Sequence, residues 1–393
     1  MRKRKGQPTF VGYRRASGEV GTRNLLGIFS LVTCANEAAV NIGRQVPGAA
    51  IFTHQNGCGQ TQADLEAVTR TLIHLGQNPN LGAVLLVSLG CEGLSPDRIG
   101  EAIGQAKKPV EMVRIQQQGG YLGALAEAGL KSQKLAQAIS AFRREEVGVE
   151  ELVLGLKCGA SDPTSGLAAN PPLGKAVDRL IDLAGSVIFG ETTEVVGAEH
   201  ILAKRAKNEA VAKKLLGLID RLEARVRASG SDIRGGNPSA GNIAGGITTL
   251  EEKSLGSIVK SGSSAIQDVY EYGERKQGRG LFFVDSPGRE PEILTALAAA
   301  GAQVIAFATG LGAPQGFPFV PVIKICANWK TVQRLPDFID LDVSGVISGE
   351  ESLEEAGERI LQEVLEVASG KWTKAETLGY NGSTNIYTTG PIV

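Results

Sequence analysis

Short apolar runs alternate along this chain with stretches of helical periodicity, and no other feature restricts the fold as strongly. Leu25–Thr33, Ala49–Thr53, Gly82–Leu89 and Val110–Ile115 read as strands. Between the second and third, Leu65, Val68, Leu72 and Leu75 share one helical face, and Ile99 with Ile103 marks another helix. The pattern then restarts. Glu151–Lys157 reads as a strand, Leu173–Leu183 as a helix and Ser186–Phe189 as a short strand. Residues 196–228 have room for one long helix or two. Leu281–Asp285, Ala302–Ala308, Val320–Cys326 and Phe338–Val343 are further expected strands, and Ser352–Ala368 a late helix. Strands alternating with helices predict parallel sheets covered on both faces, so the expected class is α/β. Two α/β halves meet near residue 148.

The 393 residues suffice for two packed domains. The net charge of −1 gives no global field to recruit nucleic acid or an acidic membrane. No apolar run reaches the roughly 20 residues that span a bilayer. The basic start, MRKRKGQPTF, lacks the apolar stretch of a secretion signal, and residues 1–12 are expected to be a disordered tail. The five cysteines are an odd number in a chain without such a signal, which predicts reduced thiols and a cytoplasmic location.

Ligands of open parallel sheets sit at the carboxyl ends of the strands. Three cysteines lie there beside glycines: Cys58 in HQNGCG, Cys91 in GCEG and Cys158 in KCGASD. Their thiolates are soft ligands suited to iron or zinc, and three of them predict a cluster with one iron open to substrate. A mononuclear iron held by His54 and carboxylates is the competing arrangement. Cys34 and Cys326, inside apolar runs, are expected in the core. Glu191 and Glu194, in GETTEVVGAEH, are paired carboxylates for a cation or for proton transfer. His54 is a candidate ligand or base, and Lys157 and Glu92 are further catalytic candidates. Ser161, Asp162 and Asn170 lie in a loop entering a helix, which suits anion binding. Arg15 and Arg23 precede the first strand, where guanidinium forks would bind a carboxylate. Thr248 and Thr249 belong to a segment dense in Gly, Asn, Ser and Thr. The glycine spacing matches neither a Walker loop nor a dinucleotide fingerprint.

GYRRASGEVGTRN, LGCEG, KCGASDPTSGLAANP, FGETTEVVGAEHIL, NPSAGNIAGGITTLEEKSLG and ASGKWTKAE resemble blocks of the altronate/galactarate dehydratase family, which includes the large subunit of sulfolactate sulfo-lyase. The resemblance runs from about Tyr13 to Gly379. It implies the large subunit of an iron-dependent hydro-lyase that dehydrates a sugar acid of the altronate/galactarate type by β-elimination; release of sulfite from sulfolactate, or binding of a sugar acid without catalysis, are the alternatives. It also implies two Rossmann-like domains, a dimerising one over 13–148 and a catalytic one, with a long helix, over 149–393. A small β-rich domain of the family is then expected as a separate subunit, in a homodimer or hetero-oligomer. Ala160 stands where the family often has a second Gly.

Overall fold

A computed structural model describes residues 7–393. Four parallel strands form the first sheet, in the order Ala50–Phe52, Leu25–Ser30, Leu81–Ser88, Val110–Arg114. Seven parallel strands form the second. Its order is Ile266–Tyr270, Gly280–Val284, Ser186–Phe189, Val153–Cys158, Val304–Ala308, Val322–Cys326, Leu341–Asp342. The chain leaves Val153–Cys158 toward one edge and later returns to its other side at Val304–Ala308. The carboxyl end of Val153–Cys158 therefore lies at a switch in strand order, where α/β sheets bind ligands.

The sheets are parallel and helix-covered as expected, but they do not form two separate cores. Helix Gln62–Gln77 packs on helix Glu290–Ala300, and one hydrophobic cluster joins both sheets. It runs from Phe29, Leu72 and Leu86 to Leu297, Ile305 and Phe307. Helix Glu290–Ala300 is apolar nearly all round because it lies between the sheets.

Part of the expected tail is ordered. Thr9–Arg14 pairs antiparallel with Glu145–Gly148 and with Val20–Gly21 in a small third sheet. Residues 1–6 lie outside the described residues. The segment over 196–228 is two helices, Glu199–Lys204 and Glu209–Ala228, the second capped by the Asn208 side chain. Among the described residues no helix is long and apolar enough to cross a membrane.

Candidate functional site

Adjacent side chains on a strand point to opposite faces, so Lys157 and Cys158 leave the end of their strand in different directions. Lys157 is fully buried and faces Phe307, its ammonium 5.3 Å from the ring centre. It donates to Glu191 Oε1 (2.6 Å) and to the carbonyls of Cys158 (2.6 Å) and Gly288 (2.8 Å). Glu191 follows the neighbouring strand Ser186–Phe189 and has φ +69, a left-handed backbone that is rare outside glycine. The turn sends its carboxylate back over the sheet end, where Oε2 accepts from the Cys158 N–H (3.1 Å) and pairs with Lys260 (3.0 Å). Ser286, after a third strand, accepts the Glu191 N–H.

The charge chain continues. Lys260 donates to the Ser257 hydroxyl (2.6 Å), which lies 3.3 Å from Glu194 Oε2. Glu194 Oε1 pairs with Lys253 (3.1 Å), and Lys253 donates to the side-chain oxygens of Asn237 (2.8 Å) and Asn242 (3.2 Å). Three lysines thus interleave with two buried glutamates. Burial works to lower the Lys157 pKa, but Glu191, Glu194 and Glu290 outweigh it and hold the ammonium above its ordinary value. Burial likewise opposes charge on Glu194, yet Lys253, Lys157 and Lys260 keep its pKa below the usual carboxylate value.

A cleft of about 1050 Å³ opens on this network, lined by Lys157, Glu194, Asn237, Lys253, Arg289 and Glu290. Glu290 stands 3.8 Å from the Lys157 ammonium, with 29% of its side chain exposed. A second cavity of about 300 Å³ lies on the Cys158 side, lined by Ser161, Asp162 and Asn170 among others. The Asn170 amide donates to Cys158 Sγ (3.3 Å) and to the Gly256 carbonyl (2.7 Å), while its buried Oδ1 has no partner. Ser161 lies 3.2 Å from the same sulfur. Ala160, which lines the larger cavity, has φ +48, a left-handed backbone that favours glycine.

The structure therefore brings together Lys157, Cys158, Ser161, Asp162, Asn170, Glu191 and Glu194. Other expected residues lie elsewhere. His54 is in the core beside Phe52, its Nε2 donating to the Ser30 carbonyl (3.0 Å) and its Nδ1 accepting from the Asn56 N–H (3.1 Å). With both nitrogens used, it can serve neither as ligand nor as base. Arg15 donates to Pro79 O, Asn24 Oδ1 and Arg23 O, and Arg23 to Glu376, Val367 O and Lys371 O. Their forks hold the fold together rather than a ligand. Glu92 accepts from Ser88 and the Gly90 N–H and closes its own loop. Thr249 caps helix Leu250–Ile258, and Thr248 bonds Glu252. His54 gives a stability prediction. Burial lowers its pKa to about 4 from 6.5, so the neutral form is the folded one. Its contribution is complete above about pH 6.5 and fades as pH falls toward 4, by up to about 3 kcal/mol. Urea unfolding from pH 7 to 4.5 should show this acid loss, with a shallower slope for His54→Asn.

The expected joint metal site does not assemble. Cys58 and Cys91 are exposed at the end of the first sheet, whereas Cys158 is buried in the second. Glu191 and Glu194 are already neutralised by lysines. Burial and the nearby glutamates raise the Cys158 pKa, favouring the thiol. Among the described residues no three His, Cys, Asp or Glu side chains group closely enough to hold a single metal ion. Cys34, expected in the core, is exposed.

Lys253, Lys260, Asn242 and Glu290 were missed as candidates. One signal existed: Ser254, Ser257 and Ser261, with Leu250 and Ile258, repeat at helical spacing, a polar face that is buried.

The protein is thus an α/β fold with a lysine–glutamate cleft at the carboxyl end of its larger parallel sheet. The profile described as D-galactarate/altronate dehydratase, C-terminal, matches residues 149–391. That of the D-galactarate dehydratase/altronate hydrolase second domain matches 12–140. The chain is 40% identical over 374 residues to the (2R)-sulfolactate sulfo-lyase subunit beta of Chromohalobacter salexigens, covering 95% of each. It is 37% identical to altronate dehydratase of Bacillus subtilis, covering 94% of this chain and 75% of that one. Against galactarate dehydratase (L-threo-forming) of Escherichia coli the identity is 35%, over 98% and 77%. The chain belongs to the D-galactarate/altronate dehydratase family. It is a lyase, akin to carbon–oxygen lyases and to one carbon–sulfur lyase.

Proposed function

We propose that this chain is the large subunit of a lyase that eliminates a β-substituent from a small 2-hydroxy acid. The observation that carries the reading is the convergence of Lys157, Lys253 and Glu290 on one cleft at the strand switch. The proton on carbon 2 passes to Glu290. The bond from carbon 3 to the leaving group breaks, and its electron pair leaves with that group. The resulting enol becomes a 2-keto acid. The Lys157 and Lys253 ammoniums supply the positive potential that draws the substrate carboxylate into the cleft and stabilises the enediolate that develops as the proton departs.

The substrate favoured is sulfolactate, with sulfite as the leaving group, because the match to the sulfo-lyase subunit spans 95% of both chains. Sulfite departs as a stable anion without a proton. The second reading is dehydration of an altronate- or galactarate-type sugar acid, which the 1050 Å³ cleft is large enough to admit. Hydroxide is a poorer leaving group, and a bound iron would supply Lewis acidity toward it. The proposal includes an iron requirement, a separate small β-rich partner and a homodimer or hetero-oligomer in the cytoplasm.

The test is turnover of sulfolactate, altronate and galactarate by the chain with iron and its small partner under anaerobic conditions. Sulfite release from sulfolactate alone is expected. Water loss from a sugar acid selects the second reading, and no turnover of any of the three overturns the lyase proposal.

A further inference from the structure

We infer that the cavity of about 300 Å³ beside Cys158 binds a small neutral molecule that carries a hydroxyl on an apolar body. This cavity is distinct from the cleft that holds Lys157 and Glu290, and among the described residues the two share only Lys253 as a wall. Its volume stands at the lower end of the roughly 300–1,000 Å³ typical of small-molecule pockets.

Two segments build it. Ser165–Ala169 forms a π-helical turn that runs into helix Asn170–Asp182. Such wide turns are rare and gather at functional sites. The other segment is helix Leu250–Ile258. A Cβ on Gly166 would stand 2.9 Å from the Gly256 Cα, so the segments meet glycine to glycine. Leu167 and Leu255, one from each segment, line the cavity while 69% and 46% exposed, and so form its rim. Cys158, Ser161, Asn170 and Ser257 line it from the buried side. An apolar rim thus stands over a polar floor.

The floor holds one acceptor with nothing to accept. Asn170 is fully buried, and its amide nitrogen donates to the Gly256 carbonyl (2.7 Å) and to Cys158 Sγ (3.3 Å). The contact with a carbonyl fixes which way the amide is turned, so Oδ1 is the orphan. A buried polar atom without a partner is destabilising, and its place on a cavity wall points to a donor that comes from outside the chain. The neighbouring hydroxyls are engaged: Ser161 lies 3.2 Å from the Cys158 sulfur, and Ser257 accepts from Lys260 (2.6 Å).

The charges around the cavity select a neutral ligand. Lys253 is committed to Glu194, Asn237 and Asn242, which leaves no ammonium for an anion. Asp162 and Glu252 add two carboxylates to the wall and repel one. Both are paired with local donors, Asp162 with Thr164, Ser165 and Asn328, Glu252 with Thr248. Lys253, together with Lys260 against Ser257, repels a cation in turn. What fits is a hydroxyl for Asn170 and an apolar body against Leu167, Leu255 and Ile247. The occupant would rest on Ser257, which also meets Glu194 (3.3 Å), and so would abut the charge chain of the cleft.

Benzyl alcohol is the probe, with toluene, benzoate and benzylamine as controls that share its ring. On the full chain, ligand-observed NMR should show saturable binding of the alcohol with a Kd about fivefold below that of toluene, the worth of one hydrogen bond. Benzoate and benzylamine should not displace it. A crystal soaked in the alcohol should place its hydroxyl on Asn170 Oδ1. Asn170→Leu should bring alcohol and toluene within about twofold of each other, since the acceptor is gone. Leu167→Ser and Leu255→Ser, on the exposed rim, should keep the parent's circular dichroism and weaken both neutral probes alike. If Asn170→Leu does not fold, the rim variants and the soak decide. Toluene bound as tightly as the alcohol, displacement by either charged control, an unchanged preference in Asn170→Leu, or water alone in the soaked cavity would overturn the inference. None of these readouts involves turnover, so failure of the lyase reading leaves them unchanged.

Discussion

Glu290→Gln is expected to lower kcat by about 10²–10⁴, the usual worth of a positioned general base, with little change in melting temperature. Of the nearby carboxylates, Glu191 is fully buried between two lysines behind the cleft and Glu194 is held by Lys253. Both are engaged in charge neutralisation and poorly placed to accept a substrate proton. Glu290 differs in two ways. Its side chain is partly exposed to the cleft, and its nearest ammonium, Lys157, is at 3.8 Å rather than in close contact. It also sits at the first position of helix Glu290–Ala300, which fixes its backbone at the mouth of the cleft. Glutamine keeps the shape and removes the basicity, so KM should change little. Glu290→Asp should retain part of the activity at a longer reach. If Glu290→Gln keeps kcat within about tenfold of the parent, the base lies elsewhere.

Much of the fold was legible because parallel strands buried on both faces are continuous apolar runs, as in Leu81–Ser88. Strands lacking that signature escaped. Glu145–Gly148 carries two exposed glutamates at the rim of a small sheet, and nothing in its pattern marks a strand. The site was only half legible for a related reason. Local pattern shows that a cysteine follows a strand, but not which sheet that strand joins. Sheet order, set by long-range packing, separates Cys158 from Cys58 and Cys91. His54 misled through its polar neighbours, since the loop is polar while the ring itself packs into the core. Lys253 and Lys260 were hidden because lysines on an amphipathic helix ordinarily face water. Here the serine-rich face they share turns inward onto Glu191 and Glu194.

That inward face sets the second large effect. Glu191→Ala should cost about 3–5 kcal/mol of stability near neutral pH, because it leaves two ammoniums buried without their carboxylate. Lys157 and Lys260 are both nearly inaccessible, and Glu191 contacts each. The loss should depend on pH in a definite direction. Without Glu191, burial is opposed at Lys157 only by Glu194 and Glu290, so its folded-state pKa should fall relative to the parent's. A lysine whose folded pKa is lower than the parent's loses less stability as it becomes neutral, so the gap from the parent should narrow as the pH rises toward about 10. Urea unfolding at pH 7 and pH 9.5 would show it as a shrinking gap from the parent. Replacing Lys157, Glu191 and Lys260 together with Met, Leu and Met should recover much of the loss, since apolar groups of similar volume often match a buried ion network. Such a protein should fold and yet be inactive. A loss below about 1 kcal/mol in Glu191→Ala would mean that water reaches the lysines, and that the network is neither dry nor preorganised.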